Sequence, residues 1–456
     1  MSAPGMRAAP APAADAPAAP APAPTPWVQG FVVFLLVCQV ALLFEAVGGL
    51  RTLVRGAAFG TGLVLLVALR GRGGNHPAWT PAALVMALMA LSFARPDTAN
   101  PTSGAAQAML YLAVMSPLFW VARLRFGTQV LRQTMLILWV FHTASATVGV
   151  LQVYFPGSFQ WHLSEIVASK GKGYINSLMF TTASGARVFR PMGLYDAPGA
   201  AAVSAMYAIL LGTGYLLTRR GPWNATLALG SMGIGMVCMY LSQVRSALVT
   251  TMVALAAVVV ILVLRREGGK VLRLGLAIAL ITVGGYTVAT AMAGPTVTRR
   301  VATLTATRPG EVYYSNRGRF LEDVFTRQLP RYPFGQGLGH WGMTAAYFGR
   351  PDDAGESVWV EIQWAGWAAD GGVPLMLAYA AAIAAALYHT VRAIGRARAL
   401  GDRELEFWGV LVLAYSLGMC ALTFSYPVFI GQPGMEFWLL NSALFVAARS
   451  LRARPA

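Results

Sequence analysis

Apolar residues run along this chain in long blocks separated by short polar connections. In Ala247 to Leu264 and in Leu274 to Ala293 no charged residue interrupts the block. That length suits an α-helix crossing a hydrocarbon core of ~30 Å. A membrane β-barrel would instead alternate polar and apolar positions in short segments. The pattern predicts about twelve helices, over about 28–47, 52–69, 79–94, 106–122, 131–152, 199–218, 223–242, 247–264, 272–293, 371–391, 405–424 and 434–449. The expected fold class is therefore an all-α polytopic membrane protein.

The segments between these helices refine the picture. Residues 1–26 are almost entirely Ala and Pro, which predicts a disordered cytoplasmic tail and not a signal peptide. Residues 27–456 then form a single transmembrane domain. With the N-terminus inside, the inside connections carry Arg70/Arg72, Arg123/Arg125, Arg219/Arg220, Arg265/Arg266 and Arg392/Arg396, and the C-terminal tail adds Arg452 and Arg454. The short outside connections are poorer in basic residues, with Arg51 and Arg55 a mild exception. This asymmetry predicts a multi-pass protein of about twelve spans with both termini cytoplasmic. Two outside loops are long, about 155–198 and 294–369, and long loops of this kind usually carry function.

Composition agrees. Charged residues are 12% of the chain and hydrophobic residues 56%, where a soluble domain carries about 25% charged. A soluble enzyme, a disordered chain and a disulfide scaffold are excluded. The net charge of +17 follows from positive-inside topology and calls for no nucleic acid. Cys38, Cys238 and Cys420 lie in apolar runs with no metal-ligand spacing and read as small hydrophobes. No P-loop signature is present, which argues against an ATP-driven machine. Trp27, Trp359, Trp364 and Trp408 suit interfacial belts, and His142 and His389 read as structural.

Four constellations carry candidate chemistry. Arg190-Pro191-Met192-Gly193 closes the first long loop, and a helix start after Pro198 would add partial positive charge, so the segment suits a phosphate group. The alternative for Arg190 is a snorkelling interfacial arginine. In Ser242-Gln243-Val244-Arg245-Ser246 the arginine sits between two apolar runs, where charge is expensive and functional by default. The alternative is a solvated arginine in a short turn. Asn316-Arg317-Gly318-Arg319 precedes an amphipathic stretch, Phe320 to Leu329, and then Pro333-Phe334-Gly335-Gln336-Gly337-Leu338-Gly339, which predicts a tight turn or anion nest. Equally, this is a structural loop. Finally, Glu356 and Glu361 precede the tenth helix and suit a general base, or an ion pair with a loop arginine. His340 is the other base candidate.

Together these segments, over about residues 140–380, resemble the O-antigen ligase and polymerase family of membrane glycosyltransferases (the Wzy/WaaL type). The resemblance implies a helical GT-C-like fold and a glycan donor on undecaprenyl diphosphate at the periplasmic face. It implies a glycan acceptor whose hydroxyl displaces the lipid diphosphate, with a chain-length regulator as a further partner. Arg190 and Arg245 would bind the diphosphate, assisted by Arg317 or Arg319, since arginine forks suit phosphate oxygens. No Asp-x-Asp signature marks a metal site, so transfer without metal or other cofactor is the simpler reading. Ligases of this family usually carry a His followed by Asn, Ser or Gln before the helix after the large loop. Here Glu356-Ser357 stands in that region and His340 is followed by Trp341. That favours a polymerase of O-antigen, capsule or exopolysaccharide, with Glu356 or Glu361 as base. A ligase acting on lipid A-core and a lipid-linked oligosaccharide flippase are the competing readings; the flippase should show repeat symmetry that is not evident.

Overall fold

Each predicted apolar block falls on a helix in the computed structural model, which describes residues 26–70, 74–98, 100–163, 165–168, 171–219, 221–305, 308–349, 358 and 360–451. The first five helices are α1 (Trp27–Ala41), α2 (Arg51–Ala68), α3 (Trp79–Phe93), α4 (Pro101–Trp120) and α5 (Thr128–Tyr154). The next four are α6 (Ala201–Thr218), α7 (Pro222–Ser242), α8 (Arg245–Leu264) and α9 (Gly268–Ala293). A short helix, α10 (Pro295–Thr305), follows, and α11 (Gln363–Ala399), α12 (Arg403–Leu422) and α13 (Gln432–Ser450) complete the bundle. Among the described residues nine helices are long and apolar enough to cross a membrane. Helices α1 and α3 are apolar but only 15 residues each. The protein is an all-α, multi-pass membrane protein.

In helices this apolar, burial and not polarity reveals which face packs. Nearly every residue of α6 is buried, so α6 is a central helix. Its close neighbours need small residues: a Cβ on Gly212 would stand 2.7 Å from Met232 of α7, and one on Gly235 of α7 would stand 2.9 Å from the Ala205 carbonyl. Close approach through small residues is the usual route to tight helix packing in lipid. Helix α9 buries only Leu274, Ala277, Ile281, Gly285, Ala289 and Ala293, a stripe at helical spacing. Its exposed face carries Leu272, Leu276, Leu280 and Val283, which suits lipid tails.

Several expectations need correction. Helix α1 ends at Ala41, and a 3-10 turn over Glu45–Leu50 links it to α2, so the block predicted to 47 is divided. The tenth apolar block starts as predicted near 371, at a break in α11 at Gly372 (φ 62°, ψ −150°), but a further helical stretch from Gln363 precedes it. Val373 there donates its backbone N–H to the Pro333 carbonyl at 2.9 Å, so a segment of the second long loop replaces the helix's own partner. A Cβ at Gly372 would collide with that carbonyl. Trp408 is fully buried against Tyr215, in the core and not in a belt. The Ala/Pro tail, Trp359 and Glu356 lie outside the described residues.

The two long connections gather on one face. The first carries a hairpin, β1 (Met179–Thr181) paired antiparallel with β2 (Arg187–Phe189). The second carries α10 and then a helical run from Pro309 to Arg331. That run includes the predicted amphipathic stretch and is interrupted by π-helical turns at Tyr314–Gly318 and Val324–Gln328.

Candidate functional site

A cavity of about 450 Å³ opens on this long-loop face. Arg190, Arg245, Arg300 and Arg317 all line it, together with Gln243 and Asn316. Among the described residues, no Asp or Glu lines it. Such a volume accommodates a ligand group of drug-like size.

Arg190 arrives on the end of the hairpin. Its backbone N–H donates to the Leu178 carbonyl at 2.9 Å, and its Nη2 donates to the Ser177 carbonyl at 3.0 Å. The next residues are locked to α5. Gln152, fully buried, accepts from the backbone N–H of both Met192 and Gly193 at 2.8 Å and donates to the Gly193 carbonyl at 3.0 Å. Gly193 sits at φ 64° hard against Ser145, a place that no larger residue fits. Burial, and then the neighbouring Arg245, push the Arg190 guanidinium below the usual arginine range.

Arg245 is the first residue of α8, beside a break in the chain at Ser242 to Val244. Gln243 there is left-handed (φ 56°, ψ 21°), which reverses the backbone between α7 and α8. The guanidinium spreads between two loop elements: Nη1 donates to Thr303 of α10 at 3.2 Å and Nη2 to Asn316 at 3.1 Å. The cavity thus includes the N-terminal turn of a 20-residue helix, lined by Arg245, Ser246 and Val249. Its partial positive charge adds to the arginines. The helix start expected to play this part, after Pro198, is not in the cavity wall.

Arg300, on α10, was not among the candidates read from sequence. Its Nε donates to the Gln243 carbonyl at 3.2 Å. Burial, then Arg245 and Arg190, push it down to about 10. A basic residue on an amphipathic interfacial segment was the available signal, but sequence does not say which of Arg299 and Arg300 turns inward. Arg317 lies in the first π-helical turn, and its Nη1 pairs with Glu361 Oε2 at 2.6 Å. Glu361 is thus brought to the edge of the cavity. Wide π turns recur at functional sites.

The other candidates lie elsewhere. Arg319 is exposed and not part of the cavity wall. His340 is also outside the wall; its Nε2 bonds to the Asp97 carbonyl at 2.7 Å. The glycine segment forms a structural turn, the other reading of its sequence, and the N–H groups of Gly335, Gln336 and Gly339 are already used within the protein. Gln336 donates to the Ala369 carbonyl at 2.6 Å and Gly339 donates to Gln107 Oε1 at 3.0 Å. Its glycines, at φ 80°, 97° and 88° for Gly335, Gly337 and Gly339, let this strand lie against the backbone of α11 and α4. Fully buried Asp370 secures the arrangement, accepting from Gln107 at 3.0 Å, Tyr111 at 2.6 Å and Trp341 at 2.8 Å.

Among the described residues no three His, Cys, Asp or Glu side chains cluster as metal ligands would. The chain matches no protein-family model, and no curated protein is similar to it in sequence. The site therefore has to be read from its own chemistry. Among the described residues, three arginines with no carboxylate beside them in the wall, plus a helix N-terminus, give the cavity an electropositive lining.

Proposed function

We propose that this protein is a membrane glycosyltransferase that polymerises undecaprenyl diphosphate-linked oligosaccharide repeat units at the periplasmic face of the bacterial inner membrane. The proposal includes a GT-C-like arrangement of twelve spans with both termini cytoplasmic. The observation that carries it is the cavity wall: Arg190, Arg245 and Arg300 converge on one volume with no carboxylate among its lining residues. Uncompensated guanidinium groups repel one another and favour a polyanion. A lipid diphosphate brings that polyanion to the depth of helix ends, where these arginines stand.

In this reading the acceptor hydroxyl oxygen attacks the anomeric carbon of the donor sugar. The bond from that carbon to the diphosphate oxygen breaks, and its electron pair leaves with the diphosphate. The extra negative charge develops beside Arg190, Arg245 and Arg300, which are fixed in advance by the Ser177, Thr303, Asn316 and Gln243 contacts. Preorganised charge of this kind stabilises a transition state without reorganisation. Glu361, at 2.6 Å from Arg317 of the wall, is the proposed base for the acceptor hydroxyl. His340, bonded to a backbone carbonyl on another part of the long-loop face, supports the carboxylate over a histidine base.

The test is a product assay. Protein in lipid nanodiscs receives undecaprenyl diphosphate-linked repeat units, with and without lipid A-core. A glycan ladder without lipid A-core supports the polymerase. Product only with lipid A-core replaces it with the ligase, and no covalent product from the native repeat unit overturns glycosyl transfer in favour of transport.

A further inference from the structure

Gln243 occupies an unusual position. It is a non-glycine residue in left-handed backbone geometry, it is 8% exposed, and it lines the arginine cavity. Its side-chain Nε2 is buried with no hydrogen-bond partner among the described residues. A buried amide donor left unpaired costs free energy comparable to a lost hydrogen bond, so native proteins rarely keep one without a use. Arg190 Nε is in the same condition and lines the same cavity. Both unused groups are N–H donors. Both atoms lie just behind the wall that their residues line, and a rotation of the Gln243 side chain would carry its amide into the cavity, where a phosphate group supplies acceptor oxygens.

The backbone of Gln243 is occupied otherwise. Its carbonyl accepts from Arg300 Nε at 3.2 Å, and its N–H donates to the Tyr240 carbonyl at 3.3 Å. The residue thus divides its work: the main chain places Arg300, and the side chain is left over. Gly would adopt this turn with less strain. A glutamine kept at φ 56° is explained by what its amide does.

We infer that Gln243 is a ligand-contacting residue, whose side-chain amide donates a hydrogen bond to a phosphate oxygen of the anion held by Arg190, Arg245 and Arg300. The inference rests on the proposed function for the diphosphate but adds a neutral donor to a site otherwise made of charge. A neutral donor confers geometric selection, since it adds a directional bond without adding to the repulsion among the arginines. Phosphate oxygens of a prenyl diphosphate and of a phospholipid headgroup share this chemistry, so both are tested.

The experiment measures farnesyl diphosphate binding by calorimetry to the full chain in phosphatidylcholine nanodiscs. Gln243→Gly removes the side chain and keeps both the turn and the carbonyl that holds Arg300. It is expected to weaken binding roughly 10-fold or more, as for a lost bond to a charged group. Gln243→Asn, which also tolerates the left-handed turn, withdraws the amide by one carbon and is expected to weaken binding in the same direction. Arg245→Ala serves as the control for the site itself. If Arg245→Ala loses binding and both Gln243 variants stay within twofold of the parent, the role of Gln243 is overturned and the arginine site stands. If the parent chain does not bind at all, the site reading fails and the inference fails with it. Loss of parent binding when phosphatidylglycerol replaces phosphatidylcholine would identify a headgroup as the occupant and overturn the diphosphate assignment.

Discussion

Arg245 reaches across 71 residues of sequence to donate from Nη2 to Asn316 Oδ1 at 3.1 Å. With its second bond to Thr303 at 3.2 Å, this arginine fastens both helical pieces of the large loop to the break between α7 and α8. A lysine has one point of charge and no fork, so it cannot make both contacts in the same plane. Arg245→Lys is therefore expected to lose activity nearly as fully as Arg245→Ala, each by ~100-fold or more. Turnover of lipid-linked repeat units by the two variants checks this, and a Lys variant within threefold of the parent would show that charge alone suffices.

Arg300 gives a pH dependence. Burial first holds its folded value at about 10, below the ordinary arginine range, so the folded protein loses this charge first. Arg245 and Arg190 face it, and both oppose its charge. Anion affinity should fall as pH rises through about 10, whereas fold stability from this group should rise as pH climbs from about 10 towards the ordinary arginine range, where the unfolded chain binds more protons. Farnesyl diphosphate titrated at rising pH should show the fall in the parent chain and a flatter profile in Arg300→Ala. Identical profiles would contradict the assignment of Arg300 to the anion.

Glu361 is tested through its partner. If its only task is to pair with Arg317, removing both charges restores what removing one loses. If it takes the acceptor proton, Glu361→Gln loses roughly 100-fold in turnover or more and Arg317→Ala does not rescue it. Recovery in the double variant would end the base proposal. His340→Ala, by contrast, should keep turnover within about threefold, because its ring serves a backbone carbonyl away from the cavity wall.

Asp370 tests the scaffold. Four donor contacts from Gln107, Tyr111 and Trp341 converge on it in a fully buried place. Asp370→Ala strands those donors and should destabilise the protein by about 3–5 kcal/mol, loosening the strand from Pro333 to Trp341 from α11. Thermal unfolding and hydrogen exchange over that strand measure it. Unchanged protection would show that the glycine contacts alone hold the strand.

The membrane helices were legible because an apolar block of about 20 residues has few other folds available to it. Arg190 and Arg245 stood out in the sequence because charge beside hydrocarbon is costly, and Arg317 because it flanks a loop glycine; the structure brings all three to one cavity. Arg300 and the role of Gln243 were not. Loop arginines are cheap in water, and only the fold of α10 over the helix break turns Arg300 inward. The glycine segment was left open between a turn or structural loop and an anion nest, because a row of N–H groups looks the same in sequence whether it faces an anion or, as here, the Ala369 carbonyl and Gln107. The kink at Gly372 was equally hidden, since its partner is the carbonyl of Pro333, far away in sequence.

The central claim is that the arginine cavity holds a lipid diphosphate that departs as the glycan grows. The most direct measurement follows undecaprenyl diphosphate release and glycan length together in one reconstituted sample. The account predicts one lipid diphosphate released for each repeat unit added, with both signals lost in Arg190→Ala and Arg300→Ala. Glycan growth that continues in both variants, or growth without lipid diphosphate release, would contradict it.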